Sequence, residues 1–318
     1  MGEGDNDECK MKLVFLGTGS SASTPLLSCV LRGDGGCEIC KRAVSMGPSS
    51  KDWRGNPSLL IQVGRKNVVI DCGKTFRESV LRQFSKHGVQ FLDAVVLTHE
   101  HADAVLGIDD LRLVQRRVYT DDAEAIRKSA IDIFANQAAL SHCRAAFSYL
   151  FPPPKQNHDE NKVKRFVARI DWHKICAFVP FAAAGIELTP LPVLHGKDLI
   201  CFAYCFGPKN RRVAYISDVS EIPPKSWDYL FSFPRHELMI VDCLRESHEV
   251  FSIPREKQVH FDLGQAIAAV KKLNPKRALF VGVGHRLGHE ETCAKLRLHP
   301  DLQGIDCSLA FDGQVVEW

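Results

Sequence analysis

Three observations predict an α/β fold of four layers, two sheets packed face to face with helices on both outer sides (αββα). Short apolar runs of strand length recur in both halves of the chain, segments of helical periodicity lie between some of them, and several runs end abruptly on Thr-His, His or Asp. No internal repeat is visible.

Lys12–Leu16 is a short apolar strand that runs straight into the small-residue turn Gly17-Thr18-Gly19-Ser20-Ser21. The residues before it, 1 to 10, read as a disordered tail. Residues 33 to 57, rich in Gly, Cys, Ser and Pro without periodicity, read as a long loop, and Ser58–Val63 and Asn67–Asp71 then form a hairpin. Thr75–His87 places Phe76, Val80, Leu81 and Phe84 at helical spacing, and Ala94–Leu97 is a buried strand ending at Thr98-His99. From Arg117 to about Asp171 the character changes to a helical stretch, the breaker Pro152-Pro153-Pro154 and the polar run KQNHDENKVK. This segment is expected to be an insertion or lid on one domain covering 11 to 318. Strands resume at Glu187–Leu194, Leu199–Phe206, Arg212–Ile216 and Leu238–Val241; Leu263–Leu273 is an amphipathic helix, and Arg277–Val283 is a last buried strand.

Composition excludes little. A chain of 318 residues, 45% hydrophobic and 25% charged, can bury a large core, and a net charge of +3 is too small to mark a nucleic-acid binder. Twelve cysteines are scattered, some within apolar runs such as Val69–Cys72, and the start MGEGDNDECK is acidic and unlike a signal peptide. No apolar stretch is long enough to span a bilayer. The expectation is a cytoplasmic, reducing compartment, with most thiols free and the clustered ones available to metal.

The sharpest motif is Thr98-His99-Glu100-His101-Ala102-Asp103, at the end of a buried strand. Imidazoles in an H-x-H pattern project to one side of an extended segment, and a carboxylate two residues on adds an oxygen ligand. Two more strands end on a metal-binding residue type, His195 in LPVLHG and Asp218 in YISD.

LGTGSSASTP, IDCG, THEHAD, LPVLHG and YISD, in that order, resemble the metallo-β-lactamase superfamily. IDCGKTFRESVLRQF, THEHADAVLGIDDLR and DCLRESH…HFDLGQAI…GHRLGH resemble its branch of the phosphoribosyl cyclic phosphodiesterase of phosphonate degradation, with tRNA 3′-processing endonucleases as more distant cousins. The resemblance covers about Lys12 to His289 and implies the metallo-β-lactamase fold. It further implies a binuclear centre of zinc or manganese in which His99, His101 and His195 hold one ion, Asp218 bridges, and Asp103 and His285 serve the second. A bridging hydroxide as nucleophile suits such a centre. His260, in VHFDLGQA just before a helix, is implied to face the scissile phosphate as a general acid without binding metal. Asp71 of IDCG is implied to orient the ligand loop through hydrogen bonds.

Two positions depart from the family pattern. The usual second histidine after the motif Asp is Ala104, so Asp109 or Asp110 of GIDD stands as a substitute ligand, or Asp109 simply caps a helix. GVGHRLGH departs from T-H-x-x-H, leaving Gly282 and His289 as alternative registers to His285, which is preferred because the strand Arg277–Val283 leads to it. Relatives carry a structural zinc on C-x-C-x-x-C and a late histidine. Here Cys37 and Cys40 keep the C-x-x-C knuckle, Gly35 stands where the first Cys is expected, and Cys29 with His289 would complete the set.

The function this implies is a metal-dependent hydrolase, a phosphodiesterase acting on a small cyclic nucleotide or sugar phosphate, with a homodimer and no membrane partner as the expectation. RNA 3′-end processing is the alternative, less favoured because no basic, glycine-rich arm for gripping tRNA is seen. A degenerate, metal-bound binding module is a further alternative prompted by Ala104, and a thioester or lactone substrate stays open because fold does not fix substrate.

Overall fold

The computed structural model describes residues 10–116, 129–151, 167–247 and 257–318. The expected tail, apart from Lys10, lies outside the described residues. Fourteen strands among the described residues form two seven-stranded sheets. In chain order they are β1 (Met11–Gly17), β2 (Ser58–Val63), β3 (Lys66–Ile70), β4 (Ala94–Val96), β5 (Ile131–Ala135), β6 (Ile170–Lys174), β7 (Phe181–Ala183), β8 (Ile186–Leu194), β9 (Ile200–Phe206), β10 (Val213–Ile216), β11 (Leu238–Asp242), β12 (Arg277–Val281), β13 (Asp306–Leu309) and β14 (Val315–Glu317). One sheet has the order β14-β1-β2-β3-β4-β5-β6 and the other β13-β12-β11-β10-β9-β8-β7. The αββα expectation holds.

Alternation of side chains explains the layers. Leu13 and Phe15 point into the space between the sheets, where Ile61 and Ile70 meet Tyr204, Phe206, Tyr215 and Ile240. Their neighbours Val14 and Leu16 point outward, under the helix Phe76–Gln83. On the far side Ala214, Ile216, Met239 and Val241 pack beneath the helix Leu263–Leu273. Strands apolar on both faces are thus covered on both faces.

Two expectations about loops are corrected. Within residues 33 to 57 lies the helix Glu38–Met46, which buries only Cys40 and Ala43 and starts where the Cys37 sulfur accepts from the Cys40 amide. So narrow an apolar face left no periodicity to read. The segment 117–171 is not an appended lid throughout: β5 pairs parallel with both β4 and β6, with Ile131, Ile133 and Ala135 buried on one face and Phe134 on the other. The short run IDIFA was absorbed into a neighbouring helical pattern. Pro152-Pro153-Pro154 and KQNHDENKVK lie outside the described residues.

The strand directions place the site. β3 and β4 are parallel, as are β10, β11 and β12, and β8 runs with β10 because both are antiparallel to β9. The carboxyl ends of these strands deliver Asp71, Thr98 to His101, His195, Asp218, Asp242 and Gly282 to the same edge of the sandwich, where open α/β sheets bind their ligands.

Candidate metal centre

His99, His101 and His195 each offer a ring nitrogen within 4.8 Å of the others. Their centroids are 4.7 Å (His99–His101), 5.4 Å (His99–His195) and 5.2 Å (His101–His195) apart, with the rings steeply inclined. Backbone ties hold the two loops together across the sheets. The Phe202 amide of β9 donates to the Thr98 carbonyl at 2.9 Å, and the Tyr204 hydroxyl to the Leu97 carbonyl at 2.6 Å. Ser220, just after Asp218, donates through its amide to the Leu194 carbonyl at 2.7 Å, while its Oγ accepts from the Gly196 amide at 2.9 Å.

Hydrogen bonds fix which nitrogen the His195 and His99 rings turn inward. His195 Nδ1 lies 2.7 Å from the Val259 carbonyl, which can only accept, so Nδ1 carries the proton and Nε2 keeps its lone pair. For His99 the chain is longer: Asp71 accepts from the Thr98 amide at 2.8 Å and from the Thr98 hydroxyl at 2.7 Å, and Thr98 Oγ1 lies 2.8 Å from His99 Nδ1. A hydroxyl that donates to Asp71 is free to accept from His99 Nδ1–H. That leaves His99 Nε2 buried without a partner, an orphan a cation would satisfy. Asp71, the residue proposed from sequence to orient the ligand loop, stands at the start of a hydrogen-bond chain that ends on His99. It adopts φ 58, and Gly73 follows where the Asp103 carbonyl passes too close for any Cβ, at 1.7 Å.

Buried charge concentrates around this group. Burial pushes the His99 and His195 imidazoles down, toward the neutral form that binds metal. Burial would raise Asp218, but the rings of His99, His260 and His195 outweigh it and bring its carboxyl below the ordinary value. Asp103 is raised, first by burial and then by the charge of Asp218. The three imidazoles, with the Asp218 carboxylate grouped beside His195, form a donor set that fits a divalent ion, and zinc or manganese suits the N/O mixture.

His260 lies beside this set, its ring 4.7 Å from that of His195. Its Nδ1 is 2.8 Å from Asp242 Oδ2 and 3.9 Å from Asp218 Oδ1. Burial would lower its pKa, but Asp242, Asp218 and Asp103 raise it to about 9, while burial lifts Asp242 to about 6, so an imidazolium–carboxylate pair stands at neutral pH. The helix that follows is capped by Asp262, whose side chain accepts from Gln265 N at 2.9 Å, which leaves the His260 ring free for the site. Asp242 was missed in the sequence. Its signal was available, because Leu238–Val241 is a buried strand ending on Asp just as Val213–Ile216 leads to Asp218.

Three expected placements are not met. His285 does not join Asp103 and Asp218; its Nδ1 lies 3.4 Å from Cys37 Sγ and 3.6 Å from Cys40 Sγ, and with Cys29 these form a four-donor group. The chain passes the centre at Gly282, and the turn that follows, held by the Gly284 amide on the Leu244 carbonyl, carries His285 on to the thiols. His289, expected among those thiols, opens the helix His289–Leu298 elsewhere: its amide donates to Asp52 and its Nδ1 accepts from the Arg54 guanidinium at 3.2 Å. Asp109 neither caps a helix nor joins a donor group; it pairs with Arg112 at 2.9 Å and accepts from the Tyr149 hydroxyl at 2.8 Å.

Sulfur chemistry suits a Cys₃His zinc at the thiol group. Amides of Leu26 and Cys37 donate to Cys40 Sγ and Cys29 Sγ at 3.3 and 3.0 Å, bonds that favour thiolates. The Cys37 amide lowers Cys29 against burial, whereas burial pushes Cys40 up to about 12, a cost that a cation there would offset.

Comparisons with known proteins agree with this geometry. The family model described as "Beta-lactamase superfamily domain" matches residues 66–283. The fold superposes on a crystal structure of a diphosphatase from the PhnP family with a TM-score of 0.72 and 28% identity, over 97% of both chains. The human short-form tRNase Z gives a TM-score of 0.60 at 14% identity, over 96% of this chain and 98% of that one, which speaks for fold alone. A protein of Porphyromonas gingivalis (strain ATCC BAA-308 / W83) named octanoyltransferase is 26% identical over 310 residues, 95% of this chain; the chain spans about half, 52%, of that relative's length. A ribonuclease Z of Bradyrhizobium diazoefficiens is 43% identical over 58 residues, 18% of this chain and 19% of its own length. No helix among the described residues is long and apolar enough to cross a membrane. With the family model matching residues 66–283, more than half of the chain, the chain belongs to the metallo-β-lactamase superfamily.

Proposed function

We propose that this protein is a metal-dependent hydrolase of phosphodiesters, with His99, His101, His195 and Asp218 holding a divalent ion and His260 acting as proton donor. The observation that carries it is the meeting of an imidazole triad with a fourth, charged imidazole anchored on buried Asp242. A divalent ion bound there supplies a Lewis acid and lowers the pKa of water to ~7. Asp242 holds Nδ1–H of His260, so the proton on Nε2 is the one available to a departing alkoxide, a contribution typically of ~10²–10⁴-fold. Asp103, raised by burial and by Asp218, is suited to take a proton from the attacking water. Its likeness to a diphosphatase over the whole chain supports a phosphate linkage as the substrate's reacting part.

The test is hydrolysis of a bis-aryl phosphodiester. Activity should vanish on chelation, return with zinc or manganese, and be absent from His195→Ala. A protein with full metal content that cleaves no phosphodiester would point to a binding module or to another bond type. The stretch resembling a ribonuclease Z favours one second reading, cleavage of a tRNA precursor at its 3′ trailer, and the same preparations would be assayed on that RNA.

A further inference from the structure

We infer that this centre takes one metal ion and not a pair, an inference that rests on the imidazole group being the metal site. A pair needs two donor sets that can be filled together. The described residues supply two overlapping sets, His99-His101-His195 and His195-Asp218-His260, and both call on His195. Its Nδ1 is engaged by the Val259 carbonyl, so a single nitrogen, Nε2, is left, and it can serve only one ion. The two sets meet at His195 and surround one ion's place, not two.

Among the described residues, those that would build a separate second site are absent or turned away. Ala104, directly after Asp103, is 1% exposed and packs in the core with Val105 and Ile108. Residue 282, where β12 delivers the chain to the centre, is glycine at φ +69, and a Cβ there would stand 2.2 Å from Asp242 Oδ1. The Asp242 carboxylate therefore fills the space a ligand side chain at 282 would occupy; its Oδ2 is committed to His260 at 2.8 Å, and although its Oδ1 is buried without a partner, Asp242 belongs to no group of three donors. His285 lies among the thiols and Asp109 is paired with Arg112. What the described residues leave for a second ion is Asp103, a share in Asp218 and Asp242 Oδ1, and neither Asp103 nor Asp242 belongs to a set of three donors within 4.8 Å. Carboxylates without imidazole hold a transition metal poorly.

The experiment counts metal per chain by elemental analysis in Cys40→Ser, which removes the thiol site from the count, and records the electron paramagnetic resonance spectrum of the manganese-loaded wild-type protein. One ion per chain in Cys40→Ser and the spectrum of isolated Mn(II) are expected. Two ions in that variant, or an exchange-coupled manganese pair in the wild type, would overturn the single-ion inference and leave the hydrolase reading standing. No ion in Cys40→Ser, with a wild-type count that His101→Ala does not change, would remove both. His101 is exposed, so that replacement leaves the core untouched.

Discussion

Replacing Asp71 with Asn changes one oxygen to an NH₂ and reverses a chain of hydrogen bonds. Asn tolerates the positive φ of 58 at this position, and its remaining oxygen can still accept from the Thr98 amide. The new NH₂ faces Thr98 Oγ1, which must then accept and turn its own hydrogen toward His99 Nδ1. That hydrogen drives the His99 proton to Nε2, the nitrogen the centre needs bare. Loss of such an orienting partner typically costs ~10- to 100-fold in metal affinity, or ~1.4–2.7 kcal/mol. The apo fold should hardly notice, because burial already pushes the Asp71 carboxyl well up and a neutral amide suits the place. The assay is competition for zinc with a chromogenic chelator, alongside the melting temperature of the apo protein. Thr98→Ser, which keeps the hydroxyl, should bind zinc as wild type does. An Asp71→Asn protein of unchanged affinity, or one whose loss tracks a fall in apo stability, would refute the argument.

His260→Ala should keep its metal yet lose about 10²-fold or more in turnover, and the ratio of wild-type to mutant rate should climb with leaving-group pKa; a flat ratio would reduce His260 to a phosphate binder. His285→Ala should lose one zinc and melt earlier while keeping the metal at the imidazoles, whereas His289→Ala should keep its full zinc content; zinc lost from the latter alone would restore the register expected from sequence. Burial, helped by Arg212, pushes His236 down to about 4 from 6.5, so its folded site prefers the neutral ring. Stability tied to it is complete above pH 6.5 and lost as pH falls toward 4, since the unfolded chain takes up the proton first. His236→Asn should flatten that part of the melting-temperature profile, and an equally steep profile would place the acid sensitivity elsewhere.

Much of this was legible because the strands are short, apolar on both faces and end on chemistry. Ala94–Val96 running into THEHAD, and Val213–Ile216 into Asp218, announce both a buried strand and its ligand in one stretch. What was not legible depends on turns and on weak faces. Whether His285 or His289 reaches the thiols is decided by the path of a few backbone atoms after Val281, which no periodicity reports. The helix Glu38–Met46 buries two residues and β5 is five residues long, so neither outweighs its loop-like or helical surroundings. Asp242 went unnoticed because its role comes from a partner 18 positions away, His260, rather than from a neighbour in sequence.

The most direct test of the central claim is a crystal of the metal-loaded protein examined by anomalous scattering at the zinc and manganese edges. A peak ~2.0–2.2 Å from Nε2 of both His99 and His195, from a ring nitrogen of His101 and from a carboxylate oxygen of Asp218 is predicted. A fully loaded protein whose only peak lies among Cys29, Cys37, Cys40 and His285 would contradict it.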